Sequence, residues 1–245
     1  MQALLVMRLL LFALIIASSL FCQVPFVGCK MDGQSDPWEA PKAPRNMQLL
    51  AGNRTDGLAY YQAAVGIGVL APLGWGCHGI YGSSGHILFV APKPMDKWLA
   101  AFPRAKPTDP MIAVLFATSE TSGRFQVAEI AGRIFRGYRR YVEGVREGFE
   151  GFPDWSAEGP FPADHLSRKS KTAVEYQTPA NAEGLGTYVG LGKSEIPIRG
   201  AAVIAGKRPH LDLFLLAVKL PANLKTLGAA VIRQFESDAA RCPCY

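Results

Sequence analysis

The chain has 245 residues, of which 49% are hydrophobic and 19% are charged, and a chain with this balance is neither intrinsically disordered nor a coiled coil. Its 25 glycines and 18 prolines indicate many turns, and its length allows one domain with a substantial core or two small domains. The formal net charge of +6 suits contact with anionic surfaces. Composition therefore bounds the class of protein but indicates no reaction.

The N-terminal residues have the layout of a signal peptide. Arg8 supplies the positive charge, an apolar run follows it, and the small residues Ala17 and Ser19 offer a cleavage site. The run that ends at Cys22 covers about 14 residues, whereas a membrane-spanning helix needs about 20. We therefore expect residues 1–22 to be removed, no stable transmembrane anchor to remain, and the protein to be periplasmic or secreted. Lipidation of a cysteine near this site is a less favoured alternative.

The following segment, residues 23–57, is rich in proline, lysine, aspartate, glycine and asparagine and has little periodicity, so we predict an irregular N-terminal arm. Residues 58–155 are predicted to form an N-terminal half. Within it, the sequence Gly82-Ser-Ser-Gly85 lies between two apolar stretches and predicts a β-hairpin. The apolar residues 111–117 predict a further strand.

A long amphipathic helix is predicted after this strand. Apolar residues recur at three- and four-residue intervals from Val127 to Phe149 and form one face. Four glycines interrupt the pattern, and each costs up to about 1 kcal/mol relative to alanine in a helix. The helix is therefore expected to bend, or another element is expected to pack closely against it.

Residues 156–172 are predicted to form a polar connector, and residues 173–245 a C-terminal half that ends in a Cys-x-Cys tail. This half predicts strands over 173–177, 196–205 and 211–218, and a helix over 224–239. Strands precede a helix in each half and antiparallel hairpins dominate, which favours an α+β fold over a doubly wound parallel sheet. We expect antiparallel sheet elements, two main amphipathic helices and a single compact unit made of the two halves.

Five cysteines occur, at positions 22, 29, 77, 242 and 244, and an exported protein forms disulfides by default. A bridge inside Cys242-Pro243-Cys244 would be geometrically demanding. We therefore predict that Cys242 and Cys244 each form a disulfide bond with a distant cysteine, for which Cys29 and Cys77 are available. These bonds would attach the C-terminal tail to the rest of the protein. A soft-metal site or a redox dithiol in the tail is less favoured, because a closed zinc site needs four ligands and no histidine accompanies the two thiols.

Ser83 and Ser84 are candidate nucleophiles. Either could act with His86 or another histidine in a secreted serine-type hydrolase, because catalytic triads are defined by geometry and not by order. However, His86 occupies the position at which a nucleophile elbow around Ser84 needs glycine. A tight hairpin turn with solvent-facing serines is the favoured interpretation. The glycine-rich stretches also fail as dinucleotide or phosphate loops, so no cofactor is predicted.

His78 and His86 lie on the two sides of the predicted hairpin and could approach one another. Two imidazoles supply half of a metal site at best, and carboxylates would have to come from elsewhere. A periplasmic metal-binding protein is therefore an alternative, and hydrogen-bonding roles for both histidines are favoured over it.

Two surfaces are predicted to bind a partner. Trp75, which glycines flank, and Tyr81 form a candidate aromatic surface, although such residues more often belong to the core. Arg136 and Arg140 belong to the densest basic cluster, for which a solvated helix face is the alternative. We expect an anionic envelope component or another polyanion as partner, and no nucleic acid. The sequence thus favours a non-enzymatic binding or accessory protein that is secreted or associated with the envelope.

Overall fold

The computed structural model describes residues 24–43, 56–92, 95, 106–148 and 159–242. The helices are α1 (Arg124–Ile134), α2 (Arg139–Glu147), α3 (Leu185–Tyr188) and α4 (Gly228–Arg241), with 3-10 turns at Arg136–Tyr138 and Ala222–Leu227. The strands are β1 (Phe26–Cys29), β2 (Met31–Gly33), β3 (Leu58–Ala63), β4 (Val69–Pro72), β5 (Gly76–Gly82), β6 (Gly85–Ala91), β7 (Met111–Thr118), β8 (His165–Arg168), β9 (Ala173–Thr178), β10 (Ile198–Lys207) and β11 (His210–Lys219).

The strands form a large and a small sheet. The large sheet has eight strands in the order β2-β5-β6-β7-β11-β10-β9-β8, and its neighbouring strands are antiparallel except for β2 and β5. The small sheet has the order β1-β3-β4 and begins with a parallel pair, β1 and β3. Mostly antiparallel sheets combined with helices confirm the predicted α+β class.

The large sheet is buried on both faces. Along β11, Phe214 and Leu216 belong to the core that includes the small sheet and α4, whereas Leu213 and Leu215 belong to the core that includes α1 and α3. Because successive side chains of a strand point to opposite faces, a strand that is covered on both sides is apolar throughout. This explains why residues 211–218 form a continuous apolar run, and it gives the protein three layers.

Two segments in which no strand was predicted, the irregular arm and the polar connector, contain strands. The short strands β1 and β2 lie within residues 23–57, and each makes a parallel pairing with a strand that is distant in sequence, β3 and β5 respectively. The strand β8 lies within the predicted connector, at the edge of the large sheet, and most of its residues are exposed. None of the three has a clear apolar alternation, so the local pattern carried no strand signal.

The predicted long helix bends. It is divided into α1 and α2 at Phe135, whose φ of −117° and ψ of 89° are not helical, and a 3-10 turn follows before α2 begins. The side chain of Phe135 is buried in the core beside α1. Burial of this ring at a non-helical backbone position accompanies the bend. Phe149 lies outside the described residues.

The disulfide pairing differs from the prediction. Cys29 of β1 is bonded to Cys77 of β5, so the bridge joins the small sheet to the large one. The predicted disulfide bonds between the C-terminal tail and these two cysteines are therefore wrong. Cys242 is a free thiol, and Cys22 and Cys244 lie outside the described residues.

None of the described helices is long and apolar enough to cross a membrane. The predicted signal peptide, residues 1–22, lies outside the described part of the chain.

Candidate functional site

The hairpin of β5 and β6 was the sharpest local prediction, and the structure contains it. The two strands pair from Gly76 opposite Ala91 to Gly82 opposite Gly85, which leaves Ser83 and Ser84 as the turn. Gly85 has a φ of +133°, and a Cβ at this position would overlap with the backbone oxygen of Phe116. Only glycine therefore allows the tip of the hairpin to lie against β7 in this way.

His78 and His86 are not brought together. The register places His86 opposite Tyr81 and His78 opposite Phe89. Because opposite residues share a face and successive residues alternate, the two imidazoles point to opposite faces of the sheet. The Nε2 atom of His78 lies 3.0 Å from a carboxylate oxygen of Asp32. Within the described residues, no group of three or more histidine, cysteine, aspartate or glutamate side chains could hold a metal ion.

His86 lies in an apolar environment. Its ring stacks on Phe116, with the centroids 4.9 Å apart, and a Cβ at Gly66 would overlap with its Nε2 atom. Burial lowers the pKa of His86 to about 4, because the charged imidazolium loses its hydration. The imidazole is therefore neutral at pH 7.

The serines of the turn do not form a catalytic arrangement with His86. The hydroxyl of Ser83 accepts a hydrogen bond from Ser122 at 3.2 Å, and the backbone N–H of Ser83 donates to Gln34. Among the described residues, neither serine of the turn makes a hydrogen bond to His86, and no carboxylate orients the ring. Nucleophilic catalysis depends on those two hydrogen bonds. The geometry thus corresponds to a structural turn.

A groove of about 490 Å³ opens beside His86, and we call it the aromatic groove. Trp38 and Tyr81 stack in it with their centroids 4.8 Å apart. Its lining residues are Trp38, Val65, Gly66, Tyr81, Gly82, Ser83, Gly85, His86, Phe116, Thr118, Thr121, Phe214 and Cys242.

The aromatic groove contains only one member of the predicted aromatic surface. Tyr81 lines it, whereas Trp75 packs against the core beside the small sheet. Trp38 was missed because it lies in the segment predicted to be irregular. Its backbone is held by an isolated bridge to Met31 of β2, and a single bridge has no periodic signature in the sequence.

A second groove, of about 540 Å³, is lined by three arginines, and we call it the arginine groove. Arg124 is the first residue of α1, Arg140 belongs to α2, and Arg208 lies at the turn between β10 and β11. The other lining residues are Ser119, Tyr141, Gly144, Val145 and Pro209. Among the described residues that line this groove there is no aspartate or glutamate.

Two of the three guanidinium groups are held in place by backbone oxygens. The Nε atom of Arg124 donates to Thr121 at 2.8 Å. Arg208 donates to Gly137 at 3.0 Å, and its guanidinium carbon lies 5.5 Å from the centroid of the Tyr138 ring. The contacts of Arg208 use only part of its five-donor guanidinium group, so donors of Arg208 remain for a ligand.

The hydroxyl group of Tyr141, which lines the arginine groove, donates to the backbone oxygen of Arg124 at 3.5 Å. Burial raises the pKa of Tyr141 to about 12, so the hydroxyl keeps its proton at pH 7 and adds no negative charge to the groove. The guanidinium groups supply positive charge and hydrogen-bond donors together, which suits oxygen acceptors of an anion.

Arg136 and Arg140 do not share a site. Arg136 lines a different groove, with Arg139 and Glu143, and these last two form an ion pair at 2.8 Å. The prediction treated Arg136 and Arg140 as neighbours on one helix face, but Arg136 lies in the 3-10 turn that precedes α2, where α-helical spacing does not apply. Arg124 and Arg208 were missed because only the tertiary structure brings them to Arg140.

Comparison with known proteins adds no functional information. No protein-family model, curated protein or solved structure matches this chain. Function is therefore inferred from the geometry and charge of the two grooves.

Proposed function

We propose that this protein is an exported, non-enzymatic binding protein that holds an anionic ligand in the arginine groove. The observation that carries the proposal is the convergence of Arg124, Arg140 and Arg208 from three separate elements on one groove whose described lining has no acidic residue. Like charges that share a groove repel one another, and an anion relieves that repulsion. Arginine also matches the oxygens of phosphate, sulfate and carboxylate groups with paired N–H donors.

Nearby carboxylates are engaged elsewhere. Glu120 forms an ion pair with His210 at 2.9 Å, and Glu143 forms one with Arg139 on the other side of α2. Neither carboxylate lines the arginine groove. The counter-charge for Arg140 and Arg208 then comes from an anionic ligand in the groove.

An exported protein meets anionic components of the cell envelope and soluble polyanions, and either would supply the ligand. The disulfide between Cys29 and Cys77 is compatible with an oxidising, extracytoplasmic environment. A formal net charge of +6 favours the approach of such ligands over long range.

The proposal predicts that Arg140→Gln and Arg208→Gln each weaken binding of inorganic polyphosphate. We expect each dissociation constant to rise by about tenfold or more, because a hydrogen bond to a charged group contributes about 1.5–3 kcal/mol. Isothermal titration calorimetry at low ionic strength measures the effect, and binding of the wild-type protein is expected to weaken as salt is added.

The matched control is Arg139→Gln, which removes the same charge from the same helix but on the side of the other groove. Its dissociation constant is expected to stay within about twofold of the wild-type value, as for a screened surface charge. Equal losses in the Arg139 and Arg140 variants would show that net charge alone drives binding and would overturn the site. Vesicles that contain phosphatidylglycerol, compared with neutral phosphatidylcholine vesicles, test whether a lipid headgroup supplies the anion.

A further inference from the structure

We infer that the aromatic groove is a second and independent ligand site, which takes a neutral, planar, aromatic molecule. Its volume of about 490 Å³ falls within the range of small-molecule pockets, roughly 300–1,000 Å³, and such pockets are mostly apolar with a few polar groups. A groove of this size accepts a small molecule and is too small to accept a folded partner.

Flat rings line the groove. Trp38 stacks on Tyr81, and His86 stacks on Phe116, which also contacts Phe214 at a centroid distance of 5.2 Å. Aromatic groups prefer offset-stacked or edge-to-face contacts with other rings, so these walls favour a planar ligand.

The ring of Tyr81 is held before any ligand arrives. Its hydroxyl donates to the backbone oxygen of Asp36 at 2.8 Å and lies 2.8 Å from the hydroxyl of Ser35. A wall that is already ordered loses little conformational entropy on binding, which favours affinity for a rigid ligand.

The described lining of the groove carries no charge. Within the described residues that line it there is no aspartate, glutamate, lysine or arginine, and His86 is neutral because burial lowers its pKa to about 4. A charged ligand would lose hydration there without gaining a counter-charge. This property separates the aromatic groove from the arginine groove and defines the ligand as neutral.

Two hydroxyl groups give the ligand a polar contact. The oxygen of Ser83 accepts a hydrogen bond from Ser122, and that of Thr118 accepts one from the backbone N–H of Glu120. Each hydroxyl hydrogen is then left to donate. The groove therefore also offers hydrogen bonds to a polar substituent of the aromatic ligand.

The test uses two fluorescent probes with the same ring system. N-phenyl-1-naphthylamine is neutral and planar in each ring, and 1-anilinonaphthalene-8-sulfonate differs from it by one sulfonate group. We expect saturable binding of the neutral probe, and binding of the sulfonate at this groove that is at least about tenfold weaker because the anion is desolvated without a partner. Equal affinities of the two probes for this groove would overturn the inference.

Two variants locate the neutral probe. Trp38→Ala removes a wall residue that is 39% exposed, and Val65→Trp places a large ring in the groove. Each is expected to weaken binding by about tenfold, as the loss of an aromatic contact or of the space for one implies. Trp75→Ala, which removes an indole outside the groove, and Arg140→Gln, in the arginine groove, are expected to leave the neutral probe unaffected. Thermal unfolding followed by circular dichroism verifies that every variant folds.

The thiol of Cys242 supplies a readout that does not depend on fluorescence. In a Cys22→Ser, Cys244→Ser background, the neutral probe at saturation is expected to slow alkylation of Cys242 by iodoacetamide at least about fivefold, because the thiol lines the groove. Binding of the probe with no protection of Cys242 and no effect of Trp38→Ala or Val65→Trp would place the probe elsewhere and would contradict the inference. The failure of this site leaves the arginine groove untouched, because its own test uses a different ligand and different variants.

Discussion

Replacing Cys29 and Cys77 together by serine is expected to lower the free energy of unfolding by about 4 kcal/mol. The bridge closes a loop between residues that are 48 positions apart, and without it the unfolded chain regains the conformational entropy of that loop. The bridge also joins β1 of the small sheet to β5 of the large sheet. Without it, the nearest strand pairing to β5 is the three-residue parallel pairing of β2. Urea denaturation at pH 7, followed by circular dichroism, measures the change from the transition midpoint and the slope.

Cys242→Ser is the matched control, because Cys242 is a free thiol in the structure. It is expected to change the free energy of unfolding by no more than about 1 kcal/mol, because its side chain is only partly buried against the core. Reduction with dithiothreitol is expected to destabilise the wild-type protein and leave the Cys29→Ser, Cys77→Ser protein unchanged. If the double variant unfolds at the wild-type urea concentration, the bridge contributes nothing to stability and the assignment of this role is wrong.

The sequence predicted the elements whose signals are local. The hairpin around Ser83 and Ser84, the apolar strands that became β7 and β11, and the bend after α1 each follow from patterns within a few residues. The α+β class followed from their order along the chain. These predictions hold because burial along a strand or helix determines which consecutive side chains are apolar, and that periodicity can be recognised in the sequence.

Features that depend on contacts between distant segments could not be read in this way. The strands β1 and β2, the bridge between Cys29 and Cys77, and the place of Trp38 beside Tyr81 all arise where the N-terminal segment crosses the hairpin. A parallel pairing of three or four residues leaves no periodic signal. Pairing of cysteines likewise follows from which strands are adjacent, and spacing does not determine that.

The non-helical backbone between α1 and α2 explains why Arg136 and Arg140 do not line the same groove. The interval of four residues between Arg136 and Arg140 predicts neighbours on a helix, but the non-helical backbone of Phe135 and the 3-10 turn after it separate them. The charge of Arg140 was predicted to bind anions. Its partners in the groove, Arg124 and Arg208, depend on the packing of α2 beside the β10–β11 turn.

The stability of the protein is expected to fall by about 3 kcal/mol between pH 7 and pH 4 because of His86 alone. Burial lowers the pKa of His86 from 6.5 to about 4, and each pKa unit corresponds to about 1.4 kcal/mol. The unfolded chain takes up a proton on this histidine as the pH falls through 6.5, whereas the folded protein takes it up only near pH 4. The contribution of His86 is therefore complete above pH 6.5, and it is lost progressively as the pH falls to 4.

His86→Phe isolates this contribution. The phenyl ring keeps a stacking partner for Phe116 and removes the titrating group, and His86→Gln serves as a second uncharged variant if the larger ring is poorly accommodated beside Gly66. The carboxyl groups of Asp164, Glu236 and Asp238 have raised pKa values because burial disfavours their charged forms, and they act in the opposite direction as the pH falls. They are present in all three proteins, so their effect cancels when the slopes are compared.

Urea denaturation of the three proteins at intervals between pH 7 and pH 4 gives the free energy of unfolding as a function of pH. We expect a steeper decline for the wild-type protein than for either variant, with the excess confined to the range from 6.5 to 4. Titration of the His86 ring by NMR is expected to give a midpoint near pH 4 in the folded protein. Parallel pH profiles would mean that His86 reaches solvent in the folded protein, and the uncharged character of the aromatic groove would then fail below pH 6.5. A steeper wild-type profile means that His86 stays neutral in the folded protein down to about pH 5. The affinity for N-phenyl-1-naphthylamine is then expected to stay constant from pH 7 to pH 5, because the groove remains neutral over that range.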